Sequence, residues 1–280
     1  MFATFMRKEE TFRGDSARGD TCGGAPLIER FIGFYFRPFN EDAFSSAMME
    51  WKECVSKKYP KVNEIQNWNV TIPERNNVPD FSGMKAEVSF KTQFWAAGKE
   101  QKGFCIQCDR GGIVFNVVRE DDNLFSYSEL KDFVNEWLPQ WKEIFKVDRF
   151  ERIKMGYVNR LTQKTIPQFF DAEGRLKIDK VITLFNSPFI AGKQICRPYE
   201  CQMTLSMMDE TPAGALNLQV VTRDSQSIFV DVILTFITDS SSQIGYDKTL
   251  SLLDPIHDQI SRAFLGVFTK EALQSFGIRA

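Results

Sequence analysis

The chain has 280 residues, 43% hydrophobic and 26% charged, with 35 basic against 37 acidic side chains and a net charge of −2. This is an ordinary globular composition, long enough for one large domain or two small ones. Without a long basic run, the near-neutral balance gives no sign of a global electrostatic groove for nucleic acid and leaves only a local patch open.

Taken in chain order, residues 1–26 lack periodicity and are rich in Gly, Arg, Asp and Ser around Gly14 to Asp20, which reads as a mobile arm. The opening MFATFMRK is too short for the apolar core of a secretory signal, so the chain is expected in the cytosol with its six cysteines reduced. A first strand is expected over Ile28 to Arg37. Pro38 and Asn40 end it and start a helix whose inward stripe is Phe44, Ala47, Met48, Trp51 and Val55. Residues 61 to 84, with Pro73, Pro79, Asn76 and Asn77, predict a long irregular connection able to serve as a binding element. A strand over Ala86 to Trp95 then feeds a hairpin. In it Phe104, Ile106 and Cys108 alternate with Cys105, Gln107 and Asp109, and the pattern resumes after Gly111-Gly112, where a positive φ would suit glycine.

The helix expected from about Ser128 to Ile144 has one apolar stripe from Leu130 through Trp137 and Trp141 to Phe145, a capping box from Ser126 and Glu129, and a kink near Asn135 imposed by Pro139. In the next strand, Ile153, Met155, Tyr157, Asn159 and Leu161 share one face, and Lys154, Gly156, Val158 and Arg160 the other. Asn159 therefore falls on the apolar face, where a buried amide needs a partner: either a loop or helix end, or a ligand in a pocket.

Residues 163–198, with Pro167, Pro188 and Pro198 and a short helix around Ile178 to Leu184, form the connection between two lobes. Three strands follow, over Tyr199 to Met207, Ala215 to Thr222 and Ile228 to Thr238, in an antiparallel meander. A helix through Leu253, Ile256, Ile260 and Phe264 comes next, and then a short last helix capped by Thr269 and stopped by Gly277. No apolar run reaches the length of a membrane span.

The hairpin ending near Phe115-Asn116, the helix with Trp137 and Trp141, and the strand Met155-Gly156-Tyr157-Val158-Asn159-Arg160 together resemble a sporadically distributed family of uncharacterised prokaryotic proteins. The opening strand Leu27 to Phe36 and the His257-containing helix from Leu253 to Phe264 are similar to that family as well, so the resemblance covers about residues 27 to 277. It implies a fold-level grouping without an established reaction, and a patchy distribution like that of mobile defence genes. It carries over no catalytic residue.

Several constellations have both a bland and a sharp reading. His257 is the only histidine, which removes a Cys-His-rich metal centre; it reads as a structural histidine at the edge of the helix stripe, or as a lone general base. Cys105 and Cys108 lie in an alternating strand and should point to opposite faces, so with Cys196 and Cys201 they make a poor zinc set. Asp109 and Glu120 to Asp122 read as turn carboxylates, and Gly111-Gly112 lacks the Lys-Ser/Thr of a phosphate loop.

The sequence thus predicts an α+β protein of two related lobes, each an antiparallel sheet with packed helices, over residues 27–162 and 199–280. It predicts no cofactor, no metal and no membrane contact, and a non-catalytic protein-interaction or regulatory role with another protein as partner. By resemblance, the setting is a prokaryotic antiviral defence or stress operon. The rival readings are a hydrolase using His257 or acidic residues, and a nucleic-acid or nucleotide binder. The candidate binding residues are Tyr157, Asn159, Arg160 and His257.

Overall fold

The computed structural model describes residues 26–71, 74–75, 78–79, 85–97, 103–119, 126–172, 174, 176–186, 200–207, 210–223, 229–239 and 243–278. The expected N-terminal arm, the acidic turn at 120–122 and Cys196 lie outside them. β1 (Leu27–Tyr35) leads to Asn40, whose side-chain oxygen accepts the Ala43 N–H at 2.8 Å and so caps α1 (Glu41–Val55). β2 (Lys61–Thr71), β3 (Lys85–Trp95), β4 (Phe104–Asp109) and β5 (Gly112–Val118) then form a meander, followed by α2 (Tyr127–Phe145). β6 (Arg152–Thr162) opens the second half. A helical turn at Ile178–Val181 precedes β7 (Glu200–Met207), β8 (Gly214–Arg223) and β9 (Phe229–Thr238), and α3 (Leu253–Val267) and α4 (Lys270–Ser275) close the chain.

These nine strands form one sheet, in the order β7-β8-β9-β6-β1-β5-β4-β3-β2, with every neighbouring pair antiparallel, and two two-residue ribbons, Glu74–Arg75 with Val78–Pro79 and Arg149–Phe150 with Ile244–Gly245, stand outside it. The fold is α+β. The strands of the two stretches that the sequence separates, 27–162 and 199–280, meet within that sheet, where β6 pairs with β9.

One face of the sheet is apolar, because Ile32 and Phe34 of β1 share it with Phe115 of β5, Ile106 of β4, Met155 of β6 and Leu234 of β9. Helices cover this face: α2 packs on β1 and β5, and α3 on β6 and β9. Much of the phenylalanine and tryptophan content is used here. Trp51 meets Trp137 edge to face at 5.9 Å, Phe36 meets Trp141 at 4.9 Å, and Trp141 stacks on Phe145 at 4.7 Å.

Three local expectations change, and one, the helix running on through Pro139, holds. Residues 61–71 are not irregular; β2 pairs with β3 at eleven successive positions. Its sequence lacks clean apolar alternation because it is the edge strand, with Lys61 to Gln66 exposed, so burial imposes no period on it. The glycine turn forms, but neither Gly111 nor Gly112 adopts a positive φ; the Gly111 N–H is held at 2.9 Å by the Asp109 carboxylate, and the positive φ falls on Gly103 instead. α2 continues through Pro139 to Phe145, and the Gln140 side chain donates to the Glu136 carbonyl at 3.0 Å beside the proline. Asn159 reaches neither a loop nor a helix end: its amide donates at 3.3 Å to the carbonyl of Val232, its register partner on β9.

Candidate functional site

The first turns of α2 and α3 meet over the middle of the sheet, and there the chain places its only histidine. Ser126 and Glu129 form the capping box that starts α2, which fixes Tyr127 in the first turn with its ring toward α3. The Tyr127 ring stacks on the His257 imidazole at 3.9 Å between centroids, with planes 6° apart. On its other side His257 shares a hydrogen bond through Nδ1 with the Tyr157 hydroxyl; the tyrosine donates when the imidazole is the neutral Nε2–H tautomer. Tyr157 in turn lies beneath the Arg30 guanidinium, 5.5 Å from its ring centroid.

The seam continues outward. Tyr127 donates its hydroxyl to Asp254 at 2.8 Å, and Lys131 donates to both oxygens of that carboxylate, at 2.8 and 2.7 Å. Burial raises the Asp254 pKa, but the hydrogen bonds from Lys131 and Tyr127 outweigh it and hold the group below the usual carboxylate range. Burial and the Asp254 contact push the Tyr127 phenol well upward, so it stays protonated and donating. The result is a polar chain across three elements, from the Lys131 ammonium through Asp254, Tyr127 and His257 to Tyr157 on β6.

Of the residues singled out in the sequence, Tyr157 and His257 are brought into direct contact, and Asn159 lies on the same sheet face one pleat away, 1% exposed. Arg160 does not join them. It projects to the opposite face, where its Nε and Nη2 donate to the two Asp231 oxygens at 2.8 and 3.0 Å. Cys105 and Cys108 are both buried, and the register sends them to opposite faces; burial pushes both thiols upward, which makes them poor nucleophiles. Among the described residues no three His, Cys, Asp or Glu side chains converge as metal ligands. Likewise, no helix there is long and apolar enough to cross a membrane.

Chemically, a Tyr–His pair can move a proton. Here the imidazole is clamped between a stacked ring and a hydroxyl, and the pair serves to dock α2 and α3 on the sheet. Tyr127, Lys131 and Asp254 were not singled out from the sequence. Ser126 with Glu129, which positions Tyr127, was the available signal.

A different surface lies at the β2 edge. α1 leaves an open groove of about 310 Å³ against the sheet, lined by Phe44, Met48, Met49, Lys52, Glu64 and Phe90. Met49 is 70% exposed and Phe90 62%, although both are large and apolar. Among the described residues no strand pairs with the outer side of β2, so its backbone donors and acceptors border the groove. Compared with known protein families and with curated proteins, the chain matches no family model and no curated relative.

Proposed function

We propose that the protein is a non-catalytic interaction or regulatory component whose partner is another protein, bound along the β2 edge. The observation that carries this reading is the exposure of Met49 and Phe90 beside an open strand edge. An extended segment of a partner would add main-chain hydrogen bonds to β2 and place apolar side chains in the groove. The Lys52–Glu64 pair, 2.9 Å apart at the groove wall, gives it a polar rim. The irregular loop inferred from the sequence no longer supports the reading at 61–71, where the edge strand takes over that role. The setting in a prokaryotic antiviral defence or stress operon rests on the resemblance alone.

The reading of two related lobes belongs to the same proposal. Its support is that each stretch contributes an antiparallel meander with a helix packed on it: β2–β5 with α2 in residues 27–162, and β7–β9 with α3 in residues 199–280.

The test is capture of protein partners by the intact chain and by two groove variants, Met49→Lys and Phe90→Glu, followed by reconstitution from purified components. Both positions are exposed, so both variants should melt within a few degrees of the parent. A stoichiometric partner that binds the parent and is lost from both variants supports the proposal. A partner retained equally by both overturns it.

A further inference from the structure

The face of the sheet turned away from the helices has a different construction. Three glycines sit on its central strands, and two aromatic rings lie over them. Tyr35 reaches the space above Gly33 with Cε2, Cζ and Oη, and the space above Gly112 with Cδ1 and Cε1; a Cβ at either glycine would be 3.0 Å from the ring. Because opposite edges of one ring touch two different strands, the ring lies flat across the sheet. Phe31 does the same over Gly156, where a Cβ would meet the ring at 2.4 Å. Side chains on a strand normally stand upright. Here the missing side chains let two half-buried rings lean over the neighbouring strands.

Cations surround these rings. The Arg152 guanidinium lies 5.7 Å from the Tyr35 centroid, and the Lys154 ammonium lies 5.6 Å from that of Phe31. Lys91 projects from β3 on the same face, 4.0 Å from Asp109, the carboxylate at this end of the cluster. Burial, then repulsion by Lys91 and Arg152, lowers the Lys154 pKa. Beside Phe31, at its register position on β5, Asn116 is 3% exposed, and its Nδ2 has no hydrogen-bond partner. A buried donor left unmade is costly, and it suits an acceptor supplied by a ligand.

We propose that this open face binds single-stranded nucleic acid. Two unpaired bases stack on Phe31 and Tyr35, phosphates meet Lys91, Arg152 and Lys154, and the Asn116 amide donates to a base edge. Aromatic rings stack on any base, and the neighbouring cations supply charge complementarity to phosphate. Bases already paired in a duplex cannot reach the rings. The proposal is independent of the β2-edge reading, because the groove lies on the other side of the sheet.

The test is fluorescence anisotropy with labelled twelve-nucleotide oligouridine and oligothymidine, against a duplex of the same length. Single strands should bind at least about tenfold tighter than the duplex. With three phosphate contacts, affinity should fall roughly 20-fold between 50 and 200 mM salt. Phe31→Leu and Tyr35→Leu should each weaken binding by about fivefold or more, and Lys154→Ala should flatten the salt dependence. Asn116→Val removes the unpartnered donor, so it should melt no lower than the parent while binding several-fold more weakly; this separates ligand contact from structural damage. Leu265→Ala, on the exposed side of α3, should change nothing. The RNA and DNA arms identify which strand is preferred. No binding to about 100 μM at 50 mM salt would overturn the proposal. So would equal affinity for the duplex with Phe31→Leu and Tyr35→Leu unaffected, or a dimer that Lys154→Glu converts to monomer without any oligonucleotide binding.

Discussion

The two faces of the sheet solve different problems with residues that alternate along the same strands. Ile32, Phe34, Met155 and Phe236 point to one side and are sealed under helices, whereas Phe31, Tyr35, Lys154 and Asn116 point to the other. On the covered face Trp51 meets Trp137 and Trp141 stacks on Phe145, and Tyr157, His257, Tyr127 and Asp254 close on one another, while the buried indole N–H groups of Trp51, Trp137 and Trp141 make no hydrogen bond. On the open face, glycines occupy positions where side chains would add packing. That choice lowers strand stability, since glycine weakens a strand interior. The comparison teaches that packing is concentrated on the covered face, while the open face gives up packing at its glycine positions.

The largest effect should come from the covered face. Trp141→Ala removes a fully buried indole between Phe36 and Phe145 and is expected to cost about 3–5 kcal/mol in denaturant unfolding. Lys154→Ala, by contrast, should change stability by less than about 0.5 kcal/mol. Comparable losses from both would break the distinction between the faces. Gly156→Val is the exception on the open face: its added atoms collide with the Phe31 ring, so it should cost about 1–3 kcal/mol. The double variant with Phe31→Ala should recover part of that cost, which a double-mutant cycle measures directly.

Smaller effects should come from the seam. His257→Ala loses both the Tyr127 stack and the Tyr157 hydrogen bond and should cost about 1–2 kcal/mol, whereas His257→Phe keeps the stack and should cost about half of that. The smallest effect is pH-dependent. The folded-state pKa of Asp254 is depressed, so its contribution is present above the ordinary carboxylate range and is lost as pH falls through the folded value. Its side chain is 58% exposed and solvent screens the pair, so the change should be a degree or two in melting temperature. The fall in melting temperature between pH 7 and pH 3 should be larger by that degree or two in the parent than in Asp254→Asn.

Much of this fold was legible from periodicity. The stripes of α1, α2 and α3, the strand at Ile153 to Leu161 and the caps at Asn40, Ser126 and Thr269 all reflect burial or satisfied backbone donors, which leave local patterns. β2 left none, because an exposed edge strand answers to its neighbour β3 and not to a core. The joining of both stretches into one sheet depends on β6 pairing with β9, about 75 residues apart in sequence, and neither strand's own pattern names its partner. The seam was half legible: Tyr157 and His257 were singled out, but Tyr127 and Asp254 are recognisable only once two helix starts are brought together. The open face was hidden in plain residues. Gly33, Gly112 and Gly156 look like turn or packing glycines until register places them beneath Phe31 and Tyr35.

The most direct measurement is a nuclear magnetic resonance titration of isotope-labelled protein with unlabelled oligouridine, followed through backbone amides and the side-chain amide of Asn116. The account predicts shifts at Phe31, Tyr35, Asn116 and Lys154 that saturate together, with the Asn116 side-chain amide among the largest, while Tyr127 and His257 stay still. Shifts confined to the His257 seam or to the β2 edge, or no shifts at all, would contradict it.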